Sequence, residues 1–104
     1  MTVEQLIFCI PSNLQATFIR LDELIWTPYL SQFEFFVSKE IWQDAHNPDL
    51  LAIVIHWKSY EQWKSLPINE LTELNNQFNQ LSLSELGQVF GIKESRTYNV
   101  AVVD

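Results

Sequence analysis

The sequence predicts one α+β domain in which a four-stranded antiparallel sheet carries two helices on one face. Three observations predict it. Apolar, β-branched and aromatic runs of strand length alternate with two stretches of helical periodicity, in the order β-α-β-β-α-β. Four prolines and a polar turn punctuate these runs. At 104 residues, 1–104 is the size of a single domain, and 47% hydrophobic residues suffice for a dense core.

Val3 to Ile10 is a short apolar run stopped by Pro11, which predicts the first strand. Ser12 then opens a helix, with Gln15 three residues on as its capping-box partner. Leu14, Phe18, Leu21 and Ile25 lay one apolar stripe along it, and Pro28 is expected to kink or end it near Trp26–Thr27. Phe33 to Trp42 reads as the second strand and Leu50 to Trp57 as the third. His46-Asn47-Pro48-Asp49 joins them in a hairpin, because Asn and Asp tolerate turn dihedrals and Pro presets one. Ser59 and Gln62 open the next helix, which Pro67 breaks and Leu71, Leu74, Phe78 and Leu81 continue. Ser82 to Gly87 reads as a polar connection, and Gln88 to Val103 as a last strand bent near Gly91. There are no repeats and no low-complexity segments.

Composition removes several classes of function. Six Lys and Arg against thirteen Asp and Glu give a formal charge of −7. That field repels phosphate backbones and anionic lipid, so no nucleic-acid partner is expected. Cys9 is the single cysteine, which suits a reducing compartment. The apolar run at the start reads as a strand and not a signal peptide. No run approaches the roughly 20 apolar residues of a membrane helix. A cytoplasmic protein without membrane contact is expected.

Two helices cover only one face of such a sheet, so half-exposed strands should alternate apolar and polar residues. In the third strand, however, one register holds Leu50, Ala52 and Val54 and the other Leu51, Ile53, Ile55 and Trp57. In the first, Leu6, Phe8 and Ile10 oppose Val3, Ile7 and Cys9. Each large apolar side chain left in water forgoes about 1.5–3 kcal/mol. A face-to-face homodimer through the sheet is the expected remedy, because one patch covers itself under two-fold symmetry.

The β-α-β-β-α-β order is the ferredoxin-like arrangement. Within it, Ile55-His56-Trp57-Lys58-Ser59-Tyr60-Glu61-Gln62-Trp63 resembles the third-strand ending of the dimeric α/β-barrel superfamily, which includes the antibiotic-biosynthesis-monooxygenase-like proteins. Ile25-Trp26-Thr27-Pro28, Ser38-Lys39-Glu40-Ile41-Trp42 and Gln62-Trp63-Lys64-Ser65 look like a small, mostly cyanobacterial branch with no assigned activity. The similarity covers residues 3 to about 80, and the last strand by topology alone. It implies a dimeric α/β barrel. Members that oxidise quinols or polyketides often carry a His nine residues after the third-strand Trp, where this chain has Leu66. Haem-degrading relatives place a Trp there and a His ten residues later, where ungapped counting gives Leu66 and Asn76; no haem is implied. The Pro-Gly-Phe often found before the second strand is replaced by Gln32-Phe33-Glu34-Phe35.

His56, ending the third strand, could face a cavity between sheet and helices and accept a proton from a phenolic substrate. Equally it could be a hydrogen-bonded strand-end histidine, or one in the dimer interface. Trp26, Trp42 and Phe35 are candidates for an aromatic ligand pocket, whereas Trp57 and Trp63 sit where helix packing demands bulk. Asp22 and Glu23 could offer a general base and Lys39 with Glu40 a charged pair at a pocket mouth, or all four could be solvated surface charges. Cys9 reads as a small buried hydrophobe. No clustered Cys or His predicts a metal site, two glycines cannot form a phosphate loop, and no nucleophile elbow is present.

The resemblance implies a cofactor-independent monooxygenase acting on a small aromatic, quinol-like substrate, in which His56 would be the proton acceptor and Trp26 a cavity wall. The alternative is a non-catalytic dimer binding a small apolar ligand or a protein; a third is a purely structural dimer. A cavity of roughly 300 Å³ or more reaching His56 would separate ligand chemistry from structure alone.

Overall fold

The computed structural model describes residues 1–101. Along the chain run β1 (Thr2–Cys9), α1 (Ser12–Leu30), β2 (Phe36–Gln43), β3 (Leu50–Trp57), α2 (Tyr60–Lys64), α3 (Ile68–Leu86) and β4 (Glu94–Asn99). The four strands form one sheet in the order β2-β3-β1-β4, with every neighbouring pair antiparallel. This is the α+β, ferredoxin-like arrangement that the order of elements predicts.

Antiparallel partners share a face of the sheet, and successive residues alternate faces. Register therefore sorts every strand residue. Leu6 stands opposite Ile53 and Phe8 opposite Leu51, and these side chains meet the helices. Phe18 of α1 packs between Phe8 and Phe78 of α3, with ring centroids 5.1 and 5.5 Å away. The helices α1 and α3 run antiparallel over this face, and Arg20–Glu85 at 2.5 Å and Tyr29–Glu70 at 3.1 Å link them.

The opposite face is open. It carries Val3, Ile7, Ala52 and Val54 in the two central strands, which accounts for their doubly apolar sequence. The edge strands differ: Ser38 and Glu40 of β2 and Glu94 and Arg96 of β4 bring polar groups to the same face. Gln5 stands among the apolar residues opposite Val54 and Arg96, and Trp42 and Tyr98 add exposed rings from the edge strands, so apolar and polar groups mix on this face.

Local differences from the sequence expectations have physical causes. Pro11, not Ser12, caps α1, and the Ser12 N–H donates to Asp49 Oδ1 at 3.1 Å. Gln15 is buried instead of closing a capping box. Its amide donates to the carbonyls of Ile10 (3.0 Å) and Pro48 (2.6 Å) and accepts from Gln43 (3.0 Å), pinning α1 to the hairpin turn. That turn is also held by Asp44, whose carboxylate accepts the N–H groups of His46 and Asn47 at 2.8 Å. Pro28 does not end α1, which continues to Leu30. Pro28 and Leu24 lie on an exposed face, where the carbonyl left without a donor can be hydrated.

The second strand starts at Phe36, after a turn in which the Phe36 N–H bonds the Phe33 carbonyl, and it is irregular between Phe36 and Ser38. Ser59 caps α2 as its spacing predicts, accepting the Gln62 N–H at 3.3 Å. Ser82 to Leu86 is helical and not a connection. Ser82 and Leu86 are buried, the Ser82 hydroxyl donates to the Gln88 carbonyl at 2.5 Å, and Gly87 ends α3 with φ 75°. β4 occupies only Glu94–Asn99 of the longer run expected, and residues 102–103 of that run lie outside the described residues.

Gln15 thus donates to the main-chain carbonyls of Ile10 and Pro48, the second of which it shares with Gln43 at 3.2 Å. Gln15→Ala is expected to cost about 2 kcal/mol of stability, measured by urea unfolding with an unchanged m-value.

Candidate functional site

A cavity of about 600 Å³ lies between the helix-facing side of the sheet and the helices. Strand alternation builds its floor: β1 supplies Glu4, Leu6 and Phe8, β2 supplies Lys39, and β3 supplies Ile53, Ile55 and Trp57. The roof comes from Asp22 and Trp26 on α1, Trp63 on α2, and Leu71, Asn75 and Phe78 on α3. The broken geometry at Pro67 makes this possible, because it separates α2 from α3 and lets Trp63 turn back onto the sheet. Trp63 stacks on Trp57 with centroids 5.8 Å apart and planes inclined by 8°. Lys64 places its ammonium 4.2 Å over the Trp63 ring from outside.

Charged groups face this mostly apolar space. Lys39 forms an ion pair with Asp22, and both side chains are only 4% exposed. The Lys39 ammonium also donates to Thr27 Oγ1 at 2.5 Å, and Glu23 stands 4.0 Å away at the surface. Burial raises the Asp22 carboxyl above its ordinary value, and Lys39, by charge and hydrogen bond, pulls it back. Glu4 accepts the indole N–H of Trp57 at 3.3 Å. Its carboxyl is likewise raised by burial, with the Trp57 bond and the charge of Lys64 opposing.

The expected site residues separate between the two faces. Trp26 lines the cavity, as expected of a pocket wall. Phe35 stands behind it, its ring 5.9 Å from that of Trp57. His56 and Trp42 lie on the open face. The pairing of β1 with β3 puts Ile55 and Trp57 toward the helices, so His56 between them must point away. There Nε2 of His56 is 2.8 Å from Glu40 Oε1. Trp42, 47% exposed, borders a shallow hollow of about 210 Å³ with Ile7 and Leu50. The cavity exceeds the size expected for ligand binding but does not reach His56. Cys9 is exposed at the end of β1 and not buried.

Asp22 and Lys39, read in sequence as belonging to separate charged clusters, meet inside the cavity, while Glu23 and Glu40 remain outside it. Glu4 was missed altogether. Its signal was the register: Glu4 shares the helix-facing set with Leu6, Phe8 and Ile10, so a carboxylate there is necessarily turned inward. Leu66, standing where the resemblance has a histidine, is buried and lines the cavity, whereas Asn76 is exposed. Among the described residues no three His, Cys, Asp or Glu side chains gather as a metal site, and no helix is long and apolar enough to cross a membrane.

No protein-family model and no curated protein matches the sequence. Solved structures do match the whole fold. A monooxygenase of Streptomyces coelicolor from the gene ActVA-Orf6, in complex with nanaomycin D, superposes with a TM-score of 0.67 at 13% identity, covering 99% of this chain and 91% of that one. The fold is shared. A candidate antibiotic biosynthesis monooxygenase from Deinococcus radiodurans gives 0.64 at 15% identity, with 100% and 96% covered. A dimeric ferredoxin-like protein from an uncultured marine organism gives 0.58 at 14%, with 99% and 98% covered. The chain therefore has the ferredoxin-like fold of antibiotic-biosynthesis-monooxygenase-like proteins, at identities that establish architecture alone.

The raised Glu4 carboxyl links stability to pH. The folded state holds that proton more tightly than the unfolded chain, so burial costs nothing below the ordinary carboxylate range. The cost grows as pH rises through that range to the folded value. Glu4→Gln removes it and keeps an acceptor for Trp57. The variant is expected to gain melting temperature over the native protein at about pH 7 and to lose that advantage near pH 4, as read by calorimetry at the two pH values.

Proposed function

We propose that the chain is a homodimeric small-molecule protein of the oxygenase-like type, taking a small aromatic or quinol-like molecule between sheet and helices. The observation that carries this is the cavity itself. About 600 Å³ walled by Trp26, Trp57 and Trp63, with a buried ion pair and one further carboxylate, has the make-up of a small-molecule site. A structural dimer would have no need to hold Asp22, Lys39 and Glu4 against an apolar space, since each carries a desolvation cost. An apolar cavity of this kind strips water from an electron-rich ring and lets protein groups stabilise its anion. The fold shared with monooxygenases supports oxygenation as its chemistry.

In this reading Trp26 is a wall of the site, Phe35 a brace behind Trp57, and Trp42 and His56 belong to the open face. Proton acceptance from substrate falls to a cavity carboxylate and not to His56. Leu66, where the resemblance has a histidine, favours a second reading, in which the cavity binds its ligand without turning it over. Oxygen uptake on a stable quinol separates the two. The oxygenase reading expects turnover that survives His56→Ala and is abolished by Leu71→Trp, which fills the cavity. Tryptophan quenching by the quinol with no oxygen uptake leaves the binding module instead.

The dimer in this proposal forms through the open face. Val3, Ile7 and Ala52 provide apolar area there, Val54 being already buried in the single chain, and the dimeric ferredoxin-like protein of the same fold supports dimerisation as such. Sedimentation velocity at micromolar concentration is expected to give twice the chain mass; a monomer there overturns it.

A further inference from the structure

The sheet register aligns two charged groups that the sequence keeps 35 residues apart. Glu4 of β1 and Lys39 of β2 both stand opposite Ile55 of β3. They therefore occupy one cross-strand row of the cavity floor, with Ile55 between them and their backbones roughly 10 Å apart, two strand spacings. One end of the row is an acceptor. Trp57 donates to Glu4 Oε1 and fixes the carboxyl, while Oε2 accepts no hydrogen bond from any described residue. The other end is a donor. An ammonium has three N–H groups, and Lys39 spends two of them on Asp22 and Thr27, leaving one, since Glu23 Oε1 at 4.0 Å lies beyond hydrogen-bond distance. The floor between is aliphatic and the side walls are indole, so a planar ring fits lengthwise along the row.

We propose that Glu4 and Lys39 form a two-point gauge that orients an aromatic ligand by its polar ends. A ring hydroxyl donates to Glu4 and an oxygen acceptor at the opposite end, such as a carbonyl, takes the free N–H of Lys39. Asp22 and Thr27 are positioning residues that hold the Lys39 ammonium over the floor. Molecules with hydroxyl and carbonyl at opposite ends are preferred to those with either group alone. The gauge rests on the cavity being a ligand site, as proposed above.

Four probes built on one ring system test it: naphthalene, 2-naphthol, 2-acetylnaphthalene and 6-acetyl-2-naphthol, titrated into the native protein by calorimetry and tryptophan fluorescence. The doubly substituted probe is expected to bind most tightly. Glu4→Gln should weaken both naphthols about tenfold, the difference between a charged and a neutral acceptor, and leave naphthalene and 2-acetylnaphthalene unchanged. Lys39→Met leaves Asp22 buried without its partner and endangers folding, so it is paired with Asp22→Asn. That double variant should weaken both ketones by a similar factor and spare 2-naphthol. Naphthalene binding with no such selectivity, or equal losses for all four probes, overturns the gauge and leaves the cavity reading standing. Failure of naphthalene itself to bind the native protein overturns the cavity reading, and the gauge with it.

Discussion

Everything in this molecule depends on the register of β1 against β3. These two central strands are apolar on both sides, so composition does not say which side chains meet the helices. Pairing does. With Phe8 opposite Leu51 and Glu4 opposite Ile55, one set faces the helices and the other faces out. A slip of one residue would reverse the sets, bury His56 under the helices and expose Trp57. The large side chains make one register far more favourable, because Trp57 fills the space between Phe35, Phe36 and Trp63 and no residue of the other set has comparable bulk.

The same register leaves charge where an apolar core would otherwise close. Asp22 and Lys39 are both almost fully buried, and a buried pair gains little over well-packed hydrophobic residues. Losing one partner is expensive, however, so the pair locks α1 to β2 at a fixed height over the sheet. Glu4 is the less compensated group, with one indole donor and a distant ammonium.

An open face of mixed apolar and polar side chains lies on the other side of the sheet from the cavity. Helix packing covers one side of the sheet, where the cavity lies, and leaves the other side open. His56 and Glu40 hydrogen-bond on the open side, which separates this histidine from the indole-lined space.

Much of this was legible in the residues. Leu50 to Trp57 appears as a strand with the expected bounds, Ser59 caps the next helix by accepting the Gln62 N–H, and Pro67 breaks it, because these signals act within a few residues of themselves. Helix continuation through Pro28 and through Ser82–Leu86 was not legible. In both places solvent or a buried serine bond decided an outcome that local propensity left open. Trp26 could be placed at the cavity because it lies on a helix beside other apolar residues. Glu4, Asp22 and Lys39 could not be joined, for they sit on three elements and meet only after the sheet is paired and α1 laid across it. The sequence by itself determined the order of elements and the need to cover two sheet faces, both consequences of local pattern. Which carboxylates face the cavity and where His56 points were decided by the tertiary structure, because strand faces are assigned by pairing with a distant partner and not by the strand alone.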